Sequence, residues 1–228
     1  MPEKVEDIIK RYNLENVKIY DDANKAMDEV DCDVVDICLP NFLHHDIALY
    51  AFEKGKHVIT EKPLATTLED GIEMIEAAEK AGKKLYYAED WLFAPALSKA
   101  MELVDEGAIG RQTYIRAREC HCGSHSPFAQ TIKYCGGGSM VHLGCHPIGF
   151  MLAMKNNEWT ELVAMTSGGL ENNMWHKTME GEDWAAVLMK FKDGTSALLE
   201  ANYLTTGGME DSIEIYGTEG KMAVDLTF

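Results

Sequence analysis

The sequence predicts an α/β chain in two parts: a partial parallel sheet with crossover helices, then an α/β unit on an open, mostly antiparallel sheet. Three observations carry this. Up to residue 92, helical and strand patterns alternate at short spacing, the sign of parallel strands joined by helices. From residue 93 on, strand patterns succeed one another with turn signals such as Asp193-Gly194 between them. The composition, 46% hydrophobic and 26% charged over 228 residues, suits a packed globular chain. The expected division is therefore 1–92 and 93–228.

In the first part, Val5 to Tyr12 reads as the end of a helix, Val17 to Tyr20 as a short strand and Ala23 to Val30 as a helix. Val34 to Leu39 is β-branched and closed by Pro40, which marks a buried strand. Ala48 to Lys54 supplies a crossover helix that Gly55 ends, and His57 to Thr60 the next strand. Leu68 to Ala81 with Gly82 just beyond is the clearest helix, and Lys84 to Ala88 returns to the sheet. In the second part, Ala96 to Asp105 reads as a helix. Thr113 to Glu119, Leu162 to Ser167, Ala185 to Phe191, Ser196 to Tyr203, Ser212 to Tyr216 and Met222 to Leu226 read as strands.

A net charge of −17 without a basic stripe argues against nucleic acid, because neutralising phosphates takes clustered Lys and Arg. No apolar run approaches a membrane span, and the N-terminus lacks the basic and apolar regions of a signal peptide, so a cytoplasmic protein is expected. Six scattered cysteines read as reduced thiols.

Thr60-Glu61-Lys62-Pro63 follows a parallel strand at its carboxyl end, where open α/β sheets bind ligands. Lys62 there either holds a substrate hydroxyl and stabilises a developing alkoxide, or is a surface lysine beside a turn proline. Pro40-Asn41-Phe42-Leu43-His44 ends the preceding strand in the same way. Asn41 and His44 can contact a cofactor ribose or amide, although Asn after Pro is also ordinary turn chemistry. In Gly136 to His146, Ser139 as a helix cap puts His142 at N3 and His146 one turn later, stacking two imidazoles on one face. The helix dipole then lowers the pKa of His142, as a proton acceptor near pH 7 requires; the alternative is two core histidines.

His121, Cys122, His125, His142, Cys145 and His146 are plausible metal ligands by residue type. Leu143 occupies the Glu place of H-E-x-x-H, and Cys120-His121-Cys122 is too closely spaced for a C-x-x-C knuckle, so no metal is expected. Trp159, Trp175, Trp184, Met174 and Met179 belong to a core, an interface or a substrate mouth. No G-x-G-x-x-G turn occurs: Gly136-Gly137-Gly138 lacks both the spacing and the preceding strand. The chain opens inside a helical pattern and stops at Asp225-Leu226-Thr227-Phe228 inside a strand pattern, so it reads as truncated at both ends.

Four stretches in order carry a resemblance: Val34 to Ala65 with Pro40-Asn41, His44 and Glu61-Lys62-Pro63; Ala88-Glu89 through Gly110; Gly136 to His146; and Glu214 to Gly220. Together they resemble the Gfo/Idh/MocA oxidoreductases. The resemblance implies a Rossmann domain, here without its first strands and glycine loop, and a second α/β domain often used to form homo-oligomers. It also implies NAD or NADP as hydride acceptor and a sugar, polyol or glycoside as substrate. By position, Lys62 and His146 look like the family's active-site lysine and histidine, with His142 as a third catalytic candidate where Asp is common. Pro40, Asn41, His44, Glu61, Lys62 and Glu89 fall at the cofactor. Leu39 stands where Thr is usual and Leu92 where Arg is frequent. Redox-neutral epimerisation or glycoside cleavage by transient oxidation is the first rival, and a cofactor-free binding or assembly subunit the second. Without the loop, this chain is expected to bind NAD poorly, an expectation that micromolar NADH affinity in a fluorescence titration overturns.

Overall fold

The computed structural model describes residues 2–124 and 126–227; Met1, Phe228 and His125, the last weighed above as a ligand, lie outside them. Helices α1 (Pro2–Tyr12) and α2 (Ala23–Glu29) precede a three-stranded parallel sheet, β1 (Val34–Ile37), β2 (His57–Glu61) and β3 (Leu85–Ala88), in that order. The crossovers are α3 (His44–Glu53) and α4 (Leu68–Ala81). Helix α4 shows why these segments fold as read. Thr67 caps its N-terminus by accepting from the Asp70 amide, Glu69 and Asp70 complement the dipole, and Gly82 ends it in a left-handed turn. Met27, Ile37, Phe52, Val58 and Met74 are the largest side chains of the small core between sheet and helices.

One expected element is absent. Residues 17–20 form no strand, and Val17 and Ile19 are exposed. A strand exists by its ladder, and no strand lies beside the outer edge of β1 to supply one, leaving Val34 half in solvent.

Beyond α5 (Pro95–Asp105) comes a six-stranded sheet, ordered β5-β6-β7-β4-β8-β9. Its strands are β4 (Gln112–Cys120), β5 (Trp159–Thr166), β6 (Trp184–Phe191), β7 (Ser196–Asn202), β8 (Glu210–Gly217) and β9 (Lys221–Asp225). Only β4 and β7 pair in parallel; the other four pairings are antiparallel. Between β4 and β5 lie three helices, α6 (Ile132–Cys135), α7 (Ser139–His142) and α8 (Cys145–Met154). Helices α5 and α8 bury Leu97, Phe150 and Met151 against Ile115, Leu199, Ile213 and Ile215 on one face of the sheet. The opposite face is open, and every residue of β5 is exposed, including Trp159, Val163 and Met165.

Trp175 and Met174 lie exposed on the 167–183 loop, whose fold is held by two fully buried side chains. Asn173 donates to three carbonyls, and Asp183 accepts the amides of Met174, Trp175 and His176. Met179 is core, and Trp184 donates its indole N–H to Glu200.

Candidate active site

The carboxyl ends of β1 and β2 face the α6–α8 segment, and Lys62 spans the gap by donating from Nζ to the His142 carbonyl at 2.8 Å. Two cavities meet at that contact. One, of about 360 Å³, is lined by Lys62, Asp90, Trp91, Glu119, His146 and Asp211. The other, of about 330 Å³, is lined by Pro40, Asn41, Lys62, Tyr134, His142 and Tyr203. His121 and Leu143 reach both. Lys62 and His146 thus converge on one cleft, and His142 opens into its neighbour.

His146 is held in place by a buried carboxylate. Its Nδ1 lies 2.5 Å from Glu89 Oε1 and 3.1 Å from Asp90 Oδ1, while its ring stacks on Trp91 at 6.0 Å. Glu89, 1% exposed, also accepts the backbone amides of Trp91 and Leu92. A carboxylate only accepts, so Nδ1 is the N–H side of the ring and the lone pair falls on Nε2, whose closest carboxylate is Glu119 at 4.0 Å.

The histidine pair does not share a helix. Gly138, not a capping Ser139, precedes α7, and Ser139 donates its hydroxyl to the Ala201 carbonyl. The helical run breaks at Leu143-Gly144, which puts His142 in the last turn of α7 and His146 at the start of α8. Gly138 and Gly144 lie where an added Cβ would meet backbone, at 2.0 Å from the Glu182 carbonyl and 2.7 Å from that of Met140, so close packing sets this break. His142 therefore packs at a tilt against Tyr203 rather than stacking on His146. Its pKa is indeed lowered, to about 4, but by burial first and the Lys62 charge second, not by a helix N-terminus. The Asn41 amide donates to the Cys135 carbonyl at 2.9 Å, which fixes its orientation and turns its N–H₂ toward His142 Nε2 at 3.5 Å. His142 Nδ1 then faces the Tyr203 hydroxyl at 2.6 Å.

Two residues expected at the cofactor do other work. His44 is fully buried, with both ring nitrogens 2.9 Å from carbonyls, those of Pro63 and Leu39. It braces the two loops that carry Lys62 and Asn41. Glu89 orients His146. Pro40, Asn41, Glu61 and Lys62 remain at the sheet's carboxyl edge, with Glu61 accepting the Lys62 amide. Of the thiols weighed as ligands, Cys145 is pushed up to about 12 mainly by burial, and Cys122 is exposed. Among the described residues, the group compact enough to hold a metal ion is Glu89, Asp90 and His146. The Glu89–His146 hydrogen bond already occupies the space between two of those ligand atoms.

No local sequence motif singles out Tyr203, which lines the His142 cavity, or Glu119 and Asp211, which line the His146 cleft. Glu119 is 4% and Asp211 5% exposed. Burial, then the Asp211 charge, raises the Glu119 carboxyl to about 9, and burial raises Asp211 to about 6. Their signal lay in the strand alternation, which puts both acids in the inward phase.

A parallel α/β half-sheet thus faces an open six-stranded sheet, with a lysine and a carboxylate-held histidine between them. The profile of the oxidoreductase family's NAD-binding Rossmann domain matches residues 1–89, and that of the GFO/IDH/MocA C-terminal domain matches residues 97–223. The chain belongs to the GFO/IDH/MocA family. It is 28% identical over 250 residues to levoglucosan dehydrogenase of Pseudarthrobacter phenanthrenivorans, covering 97% of this chain and 62% of that protein. With D-glucoside 3-dehydrogenase of Escherichia coli it shares 36% identity over 133 residues, 58% of this chain and 38% of the other. The crystal structure of levoglucosan dehydrogenase with NADH and levoglucosan matches at a TM-score of 0.85 and 28% identity, covering 99% of this chain and 62% of that one. The chain thus spans under two thirds of the length of these relatives.

Proposed function

We propose that this chain is the catalytic part of an NAD(P)-dependent oxidoreductase that takes hydride from a hydroxyl-bearing carbon of a sugar, polyol or glycoside. The observation that carries the reading is the convergence of Lys62 and His146 on one cleft, with Glu89 fixing the imidazole. NAD, when bound, supplies the hydride acceptor. His146 Nε2 takes the hydroxyl proton, the Lys62 ammonium holds the oxygen as its charge grows, and the carbonyl forms as the C–H electron pair departs. His142, uncharged above pH 5, borders the neighbouring cavity as a further contact of the same substrate.

The residues present suit one half of such a cofactor. Pro40, Asn41, Glu61 and Lys62 stand at the carboxyl edge of the parallel sheet, where the nicotinamide end belongs. The pyrophosphate half has no counterpart, since no glycine-rich strand-turn-helix occurs in the sequence. Incubating the protein with NAD⁺ or NADP⁺ and a panel of neutral polyols and glycosides tests the reading. Growth of absorbance at 340 nm supports it, and product formation without reduced cofactor favours epimerisation or glycoside cleavage. A second copy of the chain is proposed to cover the open sheet face bearing Trp159, Val163 and Met165. Sedimentation as a monomer at micromolar concentration overturns that part. Among the described residues no helix is long and apolar enough to cross a membrane.

A further inference from the structure

On β4 the side chains of Ile115, Ala117 and Glu119 point to the core face, and on β8 those of Asp211, Ile213 and Ile215 do the same. The register sets Glu119 directly opposite Asp211. Two apolar stripes thus end side by side in acids, just where the sheet reaches the Lys62–His146 cleft. A buried acceptor without a donor is a standing penalty in a fold. Both acids carry that penalty here. Glu119 Oε2 and Asp211 Oδ1 are buried and have no hydrogen-bond partner, and Asp211 makes no ion pair among the described residues. For Glu119 a basic neighbour is His146 Nε2 at 4.0 Å, and the Lys62 charge only partly offsets the effect of burial. No packing argument needs carboxyls at these positions, since the neighbouring inward residues of both strands are aliphatic.

We propose that Glu119 and Asp211 form a paired-carboxyl subsite that engages two hydroxyl groups of the substrate and excludes analogues carrying a carboxylate or phosphate at that place. The proposal rests on the polyol-oxidoreductase reading above and deepens it by naming the charge class of the substrate. A diol fits because it brings hydroxyl hydrogens to the orphan oxygens and oxygens to any carboxyl proton, with no charge to desolvate. An anion fails because it would face buried acids, with Asp90 at the rim, in a medium where like charges repel more strongly than in water. The raised carboxyls agree: at neutral pH Glu119 keeps its proton and Asp211 loses it, so one donor and one acceptor stand together.

Calorimetric titration of the full chain with myo-inositol, methyl β-D-glucopyranoside and D-glucuronate tests this. The unmodified protein is expected to bind at least one neutral probe tenfold or more tightly than glucuronate. Glu119→Ala and Asp211→Ala should each weaken that neutral probe at least tenfold. The charge-removing pair Glu119→Gln/Asp211→Asn should narrow the neutral-to-anion ratio below threefold. Its ligand-free melting temperature should match or exceed that of the unmodified protein, because a buried carboxylate charge without a partner has gone; a structural role for the acids predicts a fall. An unchanged ratio in the folded double variant, a fall in melting temperature with unaltered selectivity, or binding of no neutral probe overturns the proposal. So does stoichiometric Mn²⁺ or Zn²⁺ binding that the double variant loses. Selective neutral binding without cofactor reduction would leave the subsite standing and sink the dehydrogenase reading.

Discussion

On one side of Lys62 an imidazole sits among acids; on the other, an imidazole sits among neutral groups. His146 meets Glu89, Asp90 and, more distantly, Glu119, whereas His142 meets Tyr203, Asn41 and the Lys62 charge. The rings lie four residues apart in the chain, yet their partners assign them opposite tasks. The Glu89 carboxylate fixes the ring of His146 through Nδ1 and leaves Nε2 for the proposed proton transfer. A cation beside a half-buried His142 opposes a positive charge on that ring. The contrast teaches that spacing brought the rings near one cleft, while the residues around each decide which can move a proton.

The harshest test of that contrast is His146→Ala. Loss of a positioned proton acceptor should lower kcat about 10³-fold, with His142 unable to substitute. Equal losses from His142→Ala and His146→Ala would erase the distinction between the two sides.

His142 is next. Folded, it titrates near pH 4, and unfolded near 6.5, so throughout that window the unfolded chain binds the extra proton. Stability should therefore fall as pH drops from about 6.5 to about 4 and level off below, by about 3 kcal/mol in all. His142→Asn has no proton to gain. Urea midpoints at pH 6.5, 5 and 4 should fall more steeply for the unmodified protein than for the variant as pH drops, and parallel curves would show that burial does not hold the ring neutral.

Most of the frame was legible because local chemistry agreed with the fold. Thr67 and Gly82 bracket α4 as their residue types demand, and β-branched runs mark β1 and β2. Val17 to Tyr20 misled because strand propensity means nothing without a neighbour to pair with. Lys62 and His146 were legible as a lysine at a strand end and a histidine in a glycine-flanked segment. Their second layer was not, since Glu89 reaches His146 across 57 positions and Tyr203 reaches His142 across 61. The helix break at Leu143-Gly144 depends on how closely Gly138 approaches Glu182, a contact no local pattern encodes. Glu119 and Asp211 stood in the inward phase of their strands, and an acid at such a position was a readable sign.

Glu89→Gln sharpens the comparison at an intermediate size. The amide keeps the volume but can turn its N–H₂ toward Nδ1, which would reverse the ring's donor and acceptor sides. As a positioning change it should lower kcat about 10²-fold with KM little altered, shift the pH profile of kcat, and be partly rescued in Glu89→Asp. An unaltered pH profile would reduce Glu89 to a structural cap of the Trp91 turn.

Tyr203→Phe should have the smallest effect, and its smallness is informative. The change removes the hydroxyl facing His142 Nδ1 and leaves the ring packed beside His121 and His176. His142 is only partly buried, so water from the adjoining cavity can replace the lost partner, and the expected loss is about 1 kcal/mol of stability with turnover within about threefold. A loss of turnover matching that of His146→Ala would mean that protons leave through Tyr203 and His142, which would place the chemistry on the neutral side of Lys62 and invert the comparison.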